Sequence, residues 1–522
     1  MKKVKVALTG ASGNMGERLF AYLLPEEYIE EIRILDHDKK GTKAILKAKE
    51  NKKYISKVKV IVGTIADINV VRELIKGTDY VLSLAGAIPP ESDKYPLHAI
   101  EANETGIRVL VQAIEEIKDN QPKLIHTSTV ALFGNRNEKH LYAEIGDPIL
   151  VSPFDIYSLT KMRGEFMVLE SEIKSWAVIR QTAMLYDKLM SKNMDDGLMF
   201  HTCVNSPLEW STARTSATLY RNILREDVKG NLNDDNFWKH CFNLTGGEKN
   251  RITGCETMEA GLKIINGSFF QFYEPYYSCY RNFHGVWYSD GYKLDDMFHY
   301  TGETVDEFWD KAIASHKLYK LGRFFPKRWL KAFTIKPLLK DANAPMYWYK
   351  HKDEARMLAY FGGSAKYKAL PRKWEDFPIL SKGKDSSGNP IDYEYLRTHP
   401  TRLNHFFDID KPVKELDIED LKAVAEAHGG KLLTKEFKKG DAYKKVEWEN
   451  SDGEKFFAKP YSVLYCGHWD NVSYHKHAWD FDHLAKKDKI YAQVWYDSHD
   501  KNEDIYYYFD EQFNAHYKKI GE

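Results

Sequence analysis

Six short apolar runs punctuate the first 180 residues: VKVALTG, EIRILD, KVKVIVG, DYVLSLAG, KLIHTST and SWAVIRQ. Each is rich in Val, Ile or Leu, and most stop at Gly, Asp or a small polar residue. Near-continuous runs of this kind predict strands buried on both faces of a parallel sheet, rather than strands with one wet face. Between them, MGERLFAYLL, INVVRELIK, GIRVLVQAIEEI and LTKMRGEFMVLESEI place apolar residues at helical spacing. Regular strand-helix alternation predicts an α/β fold with a doubly wound parallel sheet, right-handed crossovers, and a ligand at the carboxyl ends of the strands.

The pattern loosens after residue 180. Residues 181–320 carry long polar stretches such as MSKNMDDGLMF and REDVKGNLNDDNFW and read as a smaller substrate lobe, some of whose segments return to the first domain. Residues 321–405 mix basic and aromatic residues (RFFPKRWLKAF, PMYWYKHKDE) and end near SKGKDSSGNP, a linker-like stretch. Residues 406–522 read as a C-terminal α+β module.

Composition narrows the partners. Of 522 residues, 76 are basic and 76 acidic, so bulk charge supplies no footprint for nucleic acid or an anionic membrane, and neither partner is expected. The apolar stretch after the first lysines breaks at Gly10, and no segment approaches the roughly 20 apolar residues of a membrane span. Five unpatterned cysteines (Cys203, Cys241, Cys255, Cys279, Cys466) fit reduced thiols, and a cytoplasmic location is expected.

Candidate chemistry begins where the first strand runs into TGASGNMG. Gly10 allows a tight turn, Gly13 lets backbone approach a pyrophosphate, and Gly16 lets helix and strand pack closely, with Ser12, Asn14 and Met15 between them. A phosphate would then sit on a helix N-terminus, as in a Rossmann-type domain. Asp36, twenty residues past Gly16, closes the second strand and can accept from both ribose hydroxyls while repelling a 2'-phosphate. NAD is therefore the expected cofactor and NADP the less favoured one, although Lys39 and Lys40 stand nearby. Asp67 and Ile68 follow the third strand on the adenine side, and Ala85-Gly86-Ala87 offer small residues after the fourth.

A second constellation concerns catalysis. The fifth strand ends at Ser128 and Thr129, and 28 residues past Thr129 comes YSLTK, with Tyr157 and Lys161 four apart on one helix face. Lys161 would lower the Tyr157 phenol, letting it exchange a proton with a substrate oxygen that Thr129 holds. Ser128 is a lesser candidate for the same contact.

These motifs in this order resemble the extended short-chain dehydrogenase/reductase family of NAD-dependent epimerases, dehydratases and reductases. The similarity covers roughly residues 1–315: Thr9 to Gly16, Asp36, Asn103 to Gly106, Thr129 five before Gly134, the Tyr157/Lys161 pair, and SDGYKLDDMFHYTGETVDEF late in the span. The resemblance implies a small-molecule substrate, hydride transfer to and from NAD, a cofactor contact at Asn103, and a candidate homodimer. Members that eliminate or decarboxylate carry an acid after the catalytic Thr, where this chain has Val130 and Ala131. Oxidation/reduction or epimerisation of a secondary alcohol or ketone, that of a sugar or nucleotide sugar foremost, is left, with a cyclic or aromatic ketone or a non-catalytic NAD-binding scaffold as alternatives.

In the substrate lobe, Arg214 and Arg281 could meet a substrate diphosphate or serve as structural ion-pair partners, and the aromatic run from Phe269 to Tyr288 could stack on a ring or form core. Residues 410–485 weakly resemble a treble-clef zinc module that has lost its thiolates. Cys466, His468, His475, His477, Asp480 and His483 lie close in sequence, while Glu449, Asn450 and Asp470 stand where cysteines would be needed. No metal site is expected.

Overall fold

A computed structural model describes residues 2–37, 39–47, 51–137, 139–187, 189, 196–315, 319–382, 389, 391–470, 478–508 and 516. All six predicted runs become strands of one sheet: β1 (Val4–Thr9), β2 (Ile29–Asp36), β3 (Val58–Val62), β4 (Tyr80–Ser83), β5 (Lys123–Thr129) and β6 (Trp176–Gln181). A seventh, β7 (His240–Leu244), returns from the 181–320 segment to pair with β6. Every pairing is parallel, in the order β7-β6-β5-β4-β1-β2-β3. Strand order reverses between β4 and β1, and the carboxyl ends of those two strands flank the crevice where this topology takes its ligand.

Helices cover both faces. Along β1, Val4, Val6 and Leu8 point into one apolar cluster with Leu19, Phe20 and Leu23 of α1 (Asn14–Leu23), whereas Ala7 joins the opposite cluster. That opposite layer contains α3 (Ile68–Ile75), α4 (Gly106–Glu115) and α5 (Ile156–Leu169); between α1 and α3 lies α2 (Lys39–Lys47), and α6 (Ala213–Val228) lies beside α1. Burial on both sheet faces is why the strand runs are apolar throughout rather than alternating.

The smaller lobe is built on a three-stranded sheet of 183–185, 207–212 and 251–253. The aromatic run from Phe269 is mostly core: Phe269, Phe272, Tyr273, Tyr277, Trp287 and Tyr288 are buried, and Phe269 stacks on Tyr273 with ring centroids 4.7 Å apart. Beyond it lie α7 (Lys327–Leu338) and, near the C-terminus, α8 (Ile418–Ala427) with an antiparallel ribbon of 431–432, 446–449 and 455–458. This C-terminal segment shares its core with the N-terminal domain. Trp448, Phe456 and Trp469 lie in one apolar cluster with Val168, Leu169, Ile173 and Trp176. Among the described residues, no helix is long and apolar enough to cross a membrane.

Candidate active site

The glycine loop is shaped by close approach. Gly10 has φ +70, and a Cβ there would lie 2.8 Å from the Ala85 backbone N, so only glycine lets β1 turn against the exit of β4. A Cβ on Gly16 would fall 1.9 Å from Gly10 O, which bars any side chain where α1 meets the turn. Gly13 precedes α1 without a side-chain cap, leaving the N–H groups at the start of the helix for an anion. Thr9, buried at the end of β1, was not singled out by motif reasoning beyond its place in the loop signature. Its Oγ1 accepts from the N–H groups of Leu84 and Ala85, 3.1 Å each, and ties the two crevice strands together.

Asp36 closes β2 as a buried carboxylate that accepts from the Thr42 hydroxyl, with His37 Nδ1 3.6 Å away. A Cβ on Gly41 would lie 2.8 Å from Ser12 Cβ and 3.4 Å from Asp36 Oδ2, so α2 closes directly over the loop. The side chains of Lys39 and Lys40 lie outside the described residues. Asp67 is exposed and caps α3 by accepting from Asn69 N–H at 2.8 Å, and Ile68 starts that helix half-buried. Asn103, on a π-helical turn leading into α4, brackets Ala87 with two 2.9 Å bonds and donates to Thr160 Oγ1 at 3.1 Å. It thereby pins the Ala85-Gly86-Ala87 segment to α5.

Thr129, Tyr157 and Lys161 come together at the carboxyl end of β5 and the first turns of α5. The Thr129 hydroxyl lies beside the Tyr157 phenol and favours its ionised form. Burial pushes that phenol up to about 12 against the lowering effect of Thr129. Burial also pulls the Lys161 ammonium down to about 8, with Glu165 opposing. Lys161 Nζ donates to the Thr127 carbonyl, two residues before Thr129. Ser128 is 2% exposed, and its Oγ has no hydrogen-bond partner among the described residues.

Sequence reasoning missed the acids beside this site. Asp155 caps α5 through Ser158 N–H at 2.9 Å, and its other oxygen lies 2.9 Å from His284 Nδ1. Burial, aided by Asp155, pushes Asp93 up to about 7. Only the position of Asp93, eight residues past Ala85, could have signalled it.

Residues 6–180 match the model of the NAD dependent epimerase/dehydratase family. Among solved structures, a UDP-glucose 4-epimerase from Bifidobacterium longum in complex with NAD+ and UDP is 15% identical, with 61% of this chain and 99% of that one covered at a TM-score of 0.47. A UDP-glucuronic acid 4-epimerase from Bacillus cereus, in complex with UDP-glucuronic acid and NAD, is 16% identical over 60% of this chain and 99% of that one at 0.46. A dTDP-glucose 4,6-dehydratase from Bacillus anthracis in complex with NAD is 13% identical, covering 60% and 97%, at 0.44.

Outside the epimerase/dehydratase segment, the two candidate substrate arginines part ways. Arg214 lines a cavity of about 80 Å³ together with Asn14, Arg18, Tyr186 and Asp187 at the start of α1. It pairs with Glu303 at 2.8 Å and Asp187 at 3.4 Å. Arg281 is 2% exposed, with its guanidinium bound to Glu503 and to the carbonyls of Leu358, Ala359 and Ser498. It has no nitrogen left for a substrate and serves as a clamp between chain segments.

Among the described residues, the C-terminal histidine-cysteine cluster has other partners. Cys466 lies against the Cys241 thiol of β7, His468 Nε2 lies 3.0 Å from Glu165 Oε1, and Asn450 Nδ2 donates to Asp470 Oδ2 at 3.0 Å. Asp480 caps the short helix that holds His483, and His475 and His477 lie outside the described residues. Glu144, Asp147 and His405 do converge, but Arg402 pairs with Glu144 at 2.8 Å and Arg136 with Asp147 at 3.1 Å. Two guanidiniums there already balance the carboxylates, which makes this an ion-pair network.

Proposed function

We propose that this chain is an NAD-dependent oxidoreductase or epimerase that works by hydride transfer on a secondary alcohol or ketone, that of a sugar or nucleotide sugar. The observation that carries the reading is the placement of Tyr157 beside Thr129, one helical turn from Lys161, at the carboxyl end of a strand next to the crevice formed by the glycine loop.

The loop residues suit a dinucleotide. At Gly13, where a Cβ would meet nothing nearer than Gly10 O at 3.1 Å, backbone stays open to a pyrophosphate, and the uncapped start of α1 favours its charge. Asp36, buried against Thr42 and close to Ser12, would take ribose hydroxyls and leaves no neutral space for a 2'-phosphate, which supports NAD over NADP. NAD, when bound, takes up or returns a hydride at the substrate carbon.

Everything else falls to side chains of this chain. Thr129 orients the substrate oxygen, and Tyr157, protonated across the neutral range, gives its proton to that oxygen when a ketone is reduced; the phenolate so left takes the proton of an alcohol in the reverse direction. Lys161 adds positive charge below pH of about 8. Val130 and Ala131 supply no acid or base, so elimination is disfavoured. The five cysteines, all buried thiols, support a cytoplasmic location.

Replacement of Tyr157 by Phe tests the reading: NAD affinity should hold within about twofold while turnover is lost, roughly 10²-fold or more. Unchanged turnover would overturn it. The substrate comes from a thermal-shift screen of nucleotide sugars, free sugars and cyclic ketones with NAD present, because a ligand that binds only the folded state raises its stability. Accumulating NADH would mark a dehydrogenase, and tightly held NAD with none accumulating an epimerase.

A further inference from the structure

Neutral overall, the chain carries local runs of positive charge, one of them free of acids. From residue 311 to 340 there are nine basic residues and no acid. The same stretch holds α7 and the turn before it, where Phe324 and Phe333 are 79% and 78% exposed and Leu321, Phe325 and Trp329 are each just over half exposed. Isolated exposed apolar residues are ordinary, but five large ones within 13 residues form a patch that calls for a partner.

The patch is not a loosely attached segment. Ile335 and Leu339 are buried against the smaller lobe in a cluster with Phe269 and Tyr273, Lys331 pairs with Glu274 at 2.6 Å, and Lys327 donates to the Ile265 carbonyl. With that face fixed inward, Trp329 and Phe333, four apart, share an outward face. Arg323, Arg328, Lys336 and Lys340 are exposed beside it, and none has a carboxylate partner among the described residues. Aromatic residues on the outer side of a helix, bordered by unpaired basic ones, match the requirements of an interfacial helix lying in a membrane surface. A folded protein partner would need pockets shaped to receive the two protruding phenylalanines, whereas the boundary between headgroups and acyl chains accepts them without a preformed shape. Unpaired Lys and Arg complement anionic headgroups.

We propose that α7 and the preceding turn dock this protein on an anionic phospholipid surface, with Phe324, Phe333 and Trp329 inserted at the headgroup level and Arg328 and Lys336 against the lipid charge. The attachment is peripheral and independent of the hydride-transfer reading.

Co-sedimentation of the full chain with phosphatidylcholine vesicles, and with vesicles in which roughly 30% of the lipid is phosphatidylglycerol, tests it. At least about tenfold stronger binding to the anionic vesicles is expected, weakened by high salt. A Phe324→Ser/Phe333→Ser variant should lose about tenfold or more while its melting temperature and circular dichroism stay those of the wild type, since both side chains are exposed. Arg328→Glu/Lys336→Glu should abolish the preference for anionic lipid. Wild-type protein that stays in the supernatant, or binds both vesicle types equally, overturns the proposal whatever the variants do. Wild-type self-association by light scattering that the Phe324→Ser/Phe333→Ser variant loses, without vesicle binding by either, would assign the face to a second copy of the chain instead.

Discussion

His468 Nε2 lies 3.0 Å from Glu165 Oε1, with both side chains fully buried, although 303 residues separate them. Glu165 stands one helical turn after Lys161 on α5, and Arg180 of β6 meets the same carboxylate at 2.6 Å while donating to the Cys466 carbonyl at 2.7 Å. Burial alone would raise the Glu165 carboxyl, and Arg180 and His468 together overcome it and hold it well below the usual carboxylate range. The C-terminal segment therefore braces the helix that carries Tyr157 and Lys161.

Breaking that brace should be expensive. Glu165→Gln leaves the Arg180 guanidinium buried without its counter-charge, a loss of about 3–5 kcal/mol in a urea unfolding experiment. His468→Leu removes a neutral donor and should lose less, about 1–2 kcal/mol. Equal losses in the two variants would mean that the charge pair and the imidazole do not divide the work this way.

Lys161 should leave a pH signature in stability. Its ammonium gives up its proton near pH 8 in the folded chain and near 10.5 in the unfolded one. Between those values the unfolded chain binds more protons, so this residue's contribution to stability rises with pH across that window. Lys161→Met removes the contribution: the variant should be the more stable protein at pH 7, by up to about 3 kcal/mol less the lost bond to Thr127, and the gap should close toward pH 10.5. Parallel stability curves for variant and wild type would refute the buried ammonium.

Two glycines of the loop should differ in a graded way. Gly16→Ala places a Cβ 1.9 Å from Gly10 O and cannot be accommodated without moving the turn, so NAD affinity by calorimetric titration should fall at least about tenfold with a lower melting temperature. Gly13→Ala meets the same oxygen at 3.1 Å, and a smaller loss in both measurements is expected. The reverse ranking would show that the loop does not pack as described.

Arg281 should prove structural. Arg281→Met leaves Glu503, itself largely buried, without its main partner and should lower stability by about 3–5 kcal/mol. Among molecules that remain folded, KM for the substrate should stay within about twofold of the wild type, whereas a diphosphate contact would raise it much more.

The sequence by itself determined the parallel sheet and the glycine loop, and it proposed the Thr129/Tyr157/Lys161 set. Strand runs buried on both faces must be apolar along their length, a tight turn against β4 admits only glycine, and residues four apart on a helix share a face. Each of these is a short-range rule that a linear pattern can display. The Thr127 anchor of Lys161 escaped it, because which carbonyl an ammonium meets depends on where β5 lies against α5. Arg281 escaped it for a similar reason: three carbonyls from segments 77 to 217 residues away decide its environment. Zero net charge concealed the one-sided face of α7, whose composition was legible but whose outward side was decided only when Ile335 and Leu339 packed inward. Tertiary structure alone joined His468 to Glu165, since a buried ion network forms between whichever side chains the fold brings within reach, however distant in the chain.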